Sequence, residues 1–225
     1  MARNEAKLKG VLAELSTASG QKHNYLVADF SDFGKFKIII SSFFKANTVD
    51  ILVNNTNGPE AGTILEKDYS HYQDAFELLF QTVSFTTMLA LPGMQIKHSG
   101  RIINLSSFTV REPLQNLVLS NSIRSALISW SKTLATEVAK NNITVNNILT
   151  GYFDTERLNG IMSAQAKNKN IDLAEVKNNM MNEIPMKRLG KPEEFAYLVA
   201  FLASCFADYI TGTNIPIDGG LLKSI

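Results

Sequence analysis

The stretch "GRIINLSSFTVREPLQNLVLSNSIRSALISWSKTLATEVAKNNITVNNIL", Gly100 to Leu149, holds two periodicities in one run. "GRIINLSS" (Gly100–Ser107) is short, apolar and ended by polar residues, the pattern of a buried strand. From Leu117 to Asn142 the apolar residues Leu119, Ile123, Leu127, Trp130, Leu134 and Val138 recur on one helical face. Asn141 and Asn142 suit a left-handed helix stop. "ITVNNIL" (Ile143–Leu149) is again a short buried strand. A strand, a helix and a second strand in this order predict a parallel pair joined by a crossover helix.

The alternation extends outward. Asn4 to Leu15 carries Ala6, Leu8, Val11, Leu12 and Leu15 at helical spacing. "YLVADF" (Tyr25–Phe30) reads as a strand, "FGKFKIIISSFFKA" as a helix, and "VDILVNN" (Val49–Asn55) as another strand. Tyr69 to Lys97 is helical with an interruption at Pro92. "KPEEFAYLVAFLAS" has Pro192 and acids in its first turn, and "TNIPIDGG" is a last strand. Continuous apolar strands separated by helices imply an α/β fold, a doubly wound parallel sheet covered on both faces. No repeat or linker divides residues 1–225, so one domain is expected, with a small Met- and Asn-rich lobe at about 156–185. That lobe suits either a substrate lid, since Met adapts to varied apolar ligands, or plain packing. Ligands of such sheets sit beyond the C-terminal strand ends, which puts "NNTNGP", "LSSF" and "LTGYFDT" on one rim.

Composition narrows the partners. The 225 residues are 45% apolar and 19% charged with a formal net charge of +1, a globule's composition without a basic stripe. Nucleic acid is not an expected partner. Cys205 is the single cysteine, so no disulfide can form within the chain and a cytoplasmic setting is expected. His23, His71 and His98 lack ligand spacing, so no metal site is expected. No uninterrupted apolar run reaches the ~20 residues of a membrane span.

The rim motifs follow a recognisable order. Asn54-Asn55-Thr56-Asn57-Gly58 follows one strand, Ser106-Ser107 ends the next, Ser120 stands thirteen residues after Ser107, and Arg124 four further on. "VNNILTGYFDTER", "IPMKRLGKPEEFAYLVAFLAS" and "YITGTNIPIDGG" come after them. This succession, over nearly the whole chain, resembles the short-chain dehydrogenase/reductases, especially the β-ketoacyl-carrier-protein reductases. The resemblance implies a Rossmann-like fold, NADP as cofactor, and reduction of a small carbonyl substrate, acyl-carrier-linked in the closest case. It also implies a homodimer or homotetramer. On the same basis Asp29 would sit near the adenine, and Arg3 at the adenosine 2′-phosphate. Asn54, Asn55 and Thr56 would support the adenosine half, and Thr155 would reach the carboxamide or pyrophosphate. Ser107 would hydrogen-bond the substrate oxygen. The same residue types also serve as turn and cap residues, and Arg3 as solvated charge.

The pattern departs from the family twice. Its Gly-x-x-x-Gly-x-Gly turn is not present, and Pro59 and Glu60 make "GPEAG" a poor phosphate cradle. The expectation is therefore an N-terminally truncated Rossmann-like sheet, without the family's first strand, first helix and second strand. Secondly, Ser120 and Arg124 occupy the places of a Tyr and a Lys, and Leu79 that of an Asn. A phenol has a pKa of about 10, within reach of a nearby cation, whereas a serine hydroxyl is a far weaker acid. Two readings follow. One is an NADP-dependent reductase using Ser107, Ser120 and Arg124 in a changed mechanism, in which Arg124 would hold the cofactor's ribose or polarise the substrate oxygen and water would supply the proton. The other is a non-catalytic family member, a binding or assembly subunit. Tyr152 is the nearest other phenol, either a substitute acid or an aromatic pocket wall.

Overall fold

The computed structural model describes residues 1–224. Four parallel strands form one sheet in the order β1 (Ile51–Asn54), β2 (Gly100–Ser107), β3 (Ile143–Thr150) and β4 (Asn214–Ile217). The helices are α1 (Glu5–Glu14), α2 (Phe33–Ala46), α3 (Tyr69–Phe76), α4 (Thr82–Lys97), α5 (Val118–Val138), α6 (Glu156–Lys169), α7 (Leu173–Glu183) and α8 (Pro192–Ala203). Alternation along each strand sends Ile102, Ile143 and Val145 to one face, where Ala90 and Met94 of α4 and Leu134 and Val138 of α5 bury them. Ile103 and Ile148 face the other way, onto Leu202 of α8. The lobe of α6 and α7 has its own core of Leu158, Met162, Ala166, Val176 and Ile184.

Two expectations are corrected. Tyr25–Phe30 is not a strand of the sheet: it makes a single parallel bridge, Val27 with Ala2, through Ala2 N to Leu26 O at 3.3 Å and Ala28 N to Ala2 O at 3.1 Å. An apolar run becomes a ladder only if a neighbour supplies matching backbone groups, and here only Ala2 does. Leu26 and Phe30 instead pack on Phe36 and Ile40 of α2. The outer edge of β1 meets no other strand among the described residues, and Ile51 and Val53 are 48% and 42% exposed. The second correction is at Pro92, which sits inside a continuous α4. Buried Ala90 and Met94 hold the turns on either side of it against the sheet. The irregularity lies earlier, in a π-helical turn at Glu77–Gln81 between α3 and α4. By length and composition Tyr69–Lys97 could cross a membrane, yet Ala75, Leu79, Val83, Ala90 and Met94 bury one side of it inside the fold.

A row of asparagines crosses the sheet. Asn54 pairs in register with Asn104, Asn104 with Asn147, and Asn147 with Asn214. Each amide nitrogen donates to the next amide oxygen, at 2.8, 3.1 and 2.8 Å. Thr87 of α4 accepts from Asn54 at 3.2 Å, and Ser131 of α5 from Asn104 at 3.0 Å. Asn104 is fully buried, and so its removal orphans partners on both neighbouring strands. Asn104→Ala is expected to lower the unfolding free energy by about 2–4 kcal/mol in urea titrations; a loss under about 1 kcal/mol would show that the row contributes little.

Candidate active site

The C-terminal strand ends form the rim. β2 and β3 are paired to their last residues, which puts Ser107 beside Thr150. Ser107 Oγ accepts from Thr109 N at 3.2 Å and from Thr109 Oγ1 at 3.0 Å, capping the short turn that follows. With both incoming bonds accepted, its own proton remains available to a ligand oxygen.

The entrance of α5 carries Ser120, half-buried, and Arg124, buried. Arg124 Nη1 donates to the Leu105 carbonyl at 2.6 Å, and no carboxylate lies at ion-pair distance from it among the described residues. Burial pulls its guanidinium down to about 10, and the charge of Arg157 pulls the same way. Arg124 is still a cation at neutral pH, held in the interior by one carbonyl. This costs stability that packing must offset.

Two large cavities meet at the rim. The first, about 710 Å³, is walled by Arg3, Ala28, Asp29, Phe30, Asn55 and Leu119. The second, about 720 Å³, is walled by Leu114, Leu117, Tyr152, Ile161, Val176 and Met180. Both volumes suit a small-molecule ligand. Gly58, Pro59, Glu60 and Arg157 belong to both walls.

Of the residues singled out from sequence, Arg3, Asp29 and Asn55 come together on the first cavity. Asp29 is held low in pKa chiefly by hydrogen bonds from Ser31, with the charge of Arg3 assisting. Asn54 is in the asparagine row instead, and Thr155 caps α6 by accepting from Leu158 N at 3.3 Å. Neither these two nor Thr56 lines the cavities; nor do Ser107, Ser120 and Arg124. Their neighbours do, since Leu119 touches the first cavity and Leu117 the second. Tyr152 lines the second cavity edge-on to Phe108, and burial followed by the charge of Glu183 raises its phenol pKa. It is therefore a hydrogen-bond donor rather than a ready acid.

Arg157 is the residue that sequence reading missed. It closes the stretch "VNNILTGYFDTER", two positions after Thr155, and the motif order gives it no role. Its guanidinium lies over Gly58 so closely that a Cβ there would stand 2.5 Å from Nη2. Gly58 thus lies directly beneath the end of the Arg157 side chain.

A parallel α/β sheet with ligand-sized cavities at its C-terminal rim defines the class of nucleotide-binding α/β proteins. Comparison gives the family. The family model described as enoyl-(acyl carrier protein) reductase matches residues 1–222. The NADPH-dependent reductase BacG of Bacillus subtilis is 34% identical over 207 residues, 89% of this chain and 78% of that protein. The 3-oxoacyl-[acyl-carrier-protein] reductase FabG of Chlamydia muridarum is 26% identical over 219 residues, 97% and 84% of the two chains. Among solved structures, L-sorbose reductase from Gluconobacter frateurii, complexed with NADPH and L-sorbose, superposes with a TM-score of 0.90 at 30% identity, covering 99% of this chain and 86% of that one. The chain belongs to the short-chain dehydrogenase/reductase family of oxidoreductases.

The uncompensated charge of Arg124 makes a prediction. Arg124→Met, of similar reach and apolar, is expected to raise the unfolding free energy by about 1–3 kcal/mol. Destabilisation by more than about 1 kcal/mol, read by chemical denaturation, would mean that Arg124 is a structural strut.

Proposed function

We propose that the protein is an NADPH-dependent reductase of a ketone carbonyl, acting on a small 3-oxoacyl compound, as a cytoplasmic homodimer or homotetramer. The observation that carries this reading is the meeting of the two cavities at the strand rim. One has a polar wall of Arg3, Asp29 and Asn55 that suits the adenosine end of NADP. The other has the apolar wall that an acyl chain needs. At the adenosine end the residues fit the group: Arg3 makes no ion pair among the described residues, so its donors are open to a 2′-phosphate. When bound, NADPH supplies the hydride. Ser107, with its proton uncommitted, would donate to the developing substrate oxyanion. Arg124 would keep positive charge beneath the rim. Ser120, without an adjacent base, is a poor relay, so water would deliver the proton.

A second reading, a non-catalytic binding or assembly subunit, is favoured by one specific arrangement. Arg124 is turned to the Leu105 carbonyl, and no phenol stands at position 120.

Titration with NADPH and NADH, followed by fluorescence or calorimetry, separates them. The reductase reading expects NADPH to bind more tightly than NADH, and Arg3→Ala to weaken NADPH about tenfold while sparing NADH. No binding of either at millimolar cofactor would sink it. Ser107→Ala is expected to lower kcat about 10²-fold. Joint Ser120→Tyr and Arg124→Lys substitution should raise ketone reduction; an unchanged rate would mean that these positions do not form the proton-transfer pair.

A further inference from the structure

Arg157 stands in the first turn of α6 and reaches back across the rim. Nη1 donates to the Gly58 carbonyl at 3.2 Å and Nη2 to the Pro59 carbonyl at 3.4 Å. Of the four residues common to both cavities, Gly58 and Pro59 bring no charge, and Glu60 is paired with Lys67 at 3.1 Å. Arg157 has no carboxylate at ion-pair distance among the described residues. A guanidinium offers five donors in a planar fork, and two carbonyls engage only part of it. Lys169, the other cation on the second cavity, is likewise unpaired, while Glu183 stands at the Tyr152 side. Buried Arg124 adds a further positive charge that acts on Arg157. Asp29 and Asp74 line the first cavity, but at the seam itself Arg157 is the charged group left without a carboxylate partner among the described residues, and its donors match a planar anion.

We propose that Arg157 is a specificity-determining residue that receives a carboxylate carried next to the reacting carbonyl, so that the preferred substrate is a free 3-oxo acid rather than its neutral thioester. The proposal rests on the reductase reading, in which a ligand of the first cavity and a substrate of the second react where they meet. Arg157 stands at that place. It adds no covalent step of its own.

The test compares acetoacetate, methyl acetoacetate and S-acetoacetyl-N-acetylcysteamine as substrates of the wild-type protein, Arg157→Gln and Arg157→Lys. Calorimetry measures acetoacetate and NADPH binding separately. Arg157→Gln is expected to raise KM for acetoacetate, and to weaken its binding, at least about tenfold. KM for the ester and thioester, and the NADPH dissociation constant, should stay within about twofold, with Arg157→Lys recovering part of the loss. Arg157 is exposed, so the variants are expected to keep the wild-type melting temperature. Equal effects on acid and ester, or weakened NADPH binding with acetoacetate unaffected, would overturn the proposal. Arg157-dependent acetoacetate binding without turnover of any ketone would retain the carboxylate site and remove the reductase reading instead.

Discussion

The asparagine row is the constraint on which the rest of the sheet depends. A parallel sheet fixes register only through its backbone ladder and the packing on its faces. Here a third element acts at right angles to the strands. Four amides are in register, and three of them donate in one direction, from Asn54 through to Asn214. A slip of one residue at any strand would turn that strand's amide into the opposite helix layer and leave its neighbours unpaired in an apolar interior. Thr87 and Ser131 anchor the row to α4 and α5, so the same bonds that align the strands also set the helices on them.

The rim inherits this alignment. Asn104 and Asn147 lie three residues before Ser107 and Thr150, so fixing the first pair fixes the second. β1 is held to β2 by the same device, which sets where Asn55 to Gly58 leave the sheet. Placement of Ser107 and of the first cavity wall is therefore a consequence of interior hydrogen bonding some 10 Å down the strands, at about 3.3 Å per residue. The loop after β1 is then fastened from the other side by Arg157 of α6 and, at the surface, α1 is joined to α6 by Lys7 and Glu156.

Much of this architecture was legible because it depends on local pattern. β2 and α2 have the limits that periodicity gives, and Asn142 takes the left-handed stop at φ 55°. What was not legible depends on neighbours. Tyr25–Phe30 has the composition of a strand, but strand formation is decided by a partner's backbone, and no property of its own residues states whether one is present. Pro92 fails to break α4 because burial on both sides outweighs one lost hydrogen bond. Asparagine has low strand propensity, so its occurrence in each of four strands reads as noise until the strands are aligned side by side. At the site, Arg3, Asp29 and Asn55 were found through motif order, which tracks chain position. Arg157 was not, because a long side chain can act 99 residues away from its own motif.

The chemistry of the rim follows from charge rather than from shape. Burying a guanidinium against one carbonyl costs stability that apolar residues of equal volume would not. Arg124 is held in that condition, and its field reaches Arg157 at the seam of the two cavities. Two cations without carboxylates raise the affinity of that seam for negative charge, whether carried by a ligand or developed on a substrate oxygen during reduction. In the family pattern a Tyr–Lys pair divides the labour, the cation lowering a phenol's pKa so that the phenol can move a proton. With Ser120 there is no acid for the cation to tune. Arg124 lines neither cavity, so in the proposed reductase reading its charge acts through its field rather than by contact with an anion. In that reading, Ser120 and Arg124 together exchange a tuned proton relay for a fixed positive charge beneath the rim.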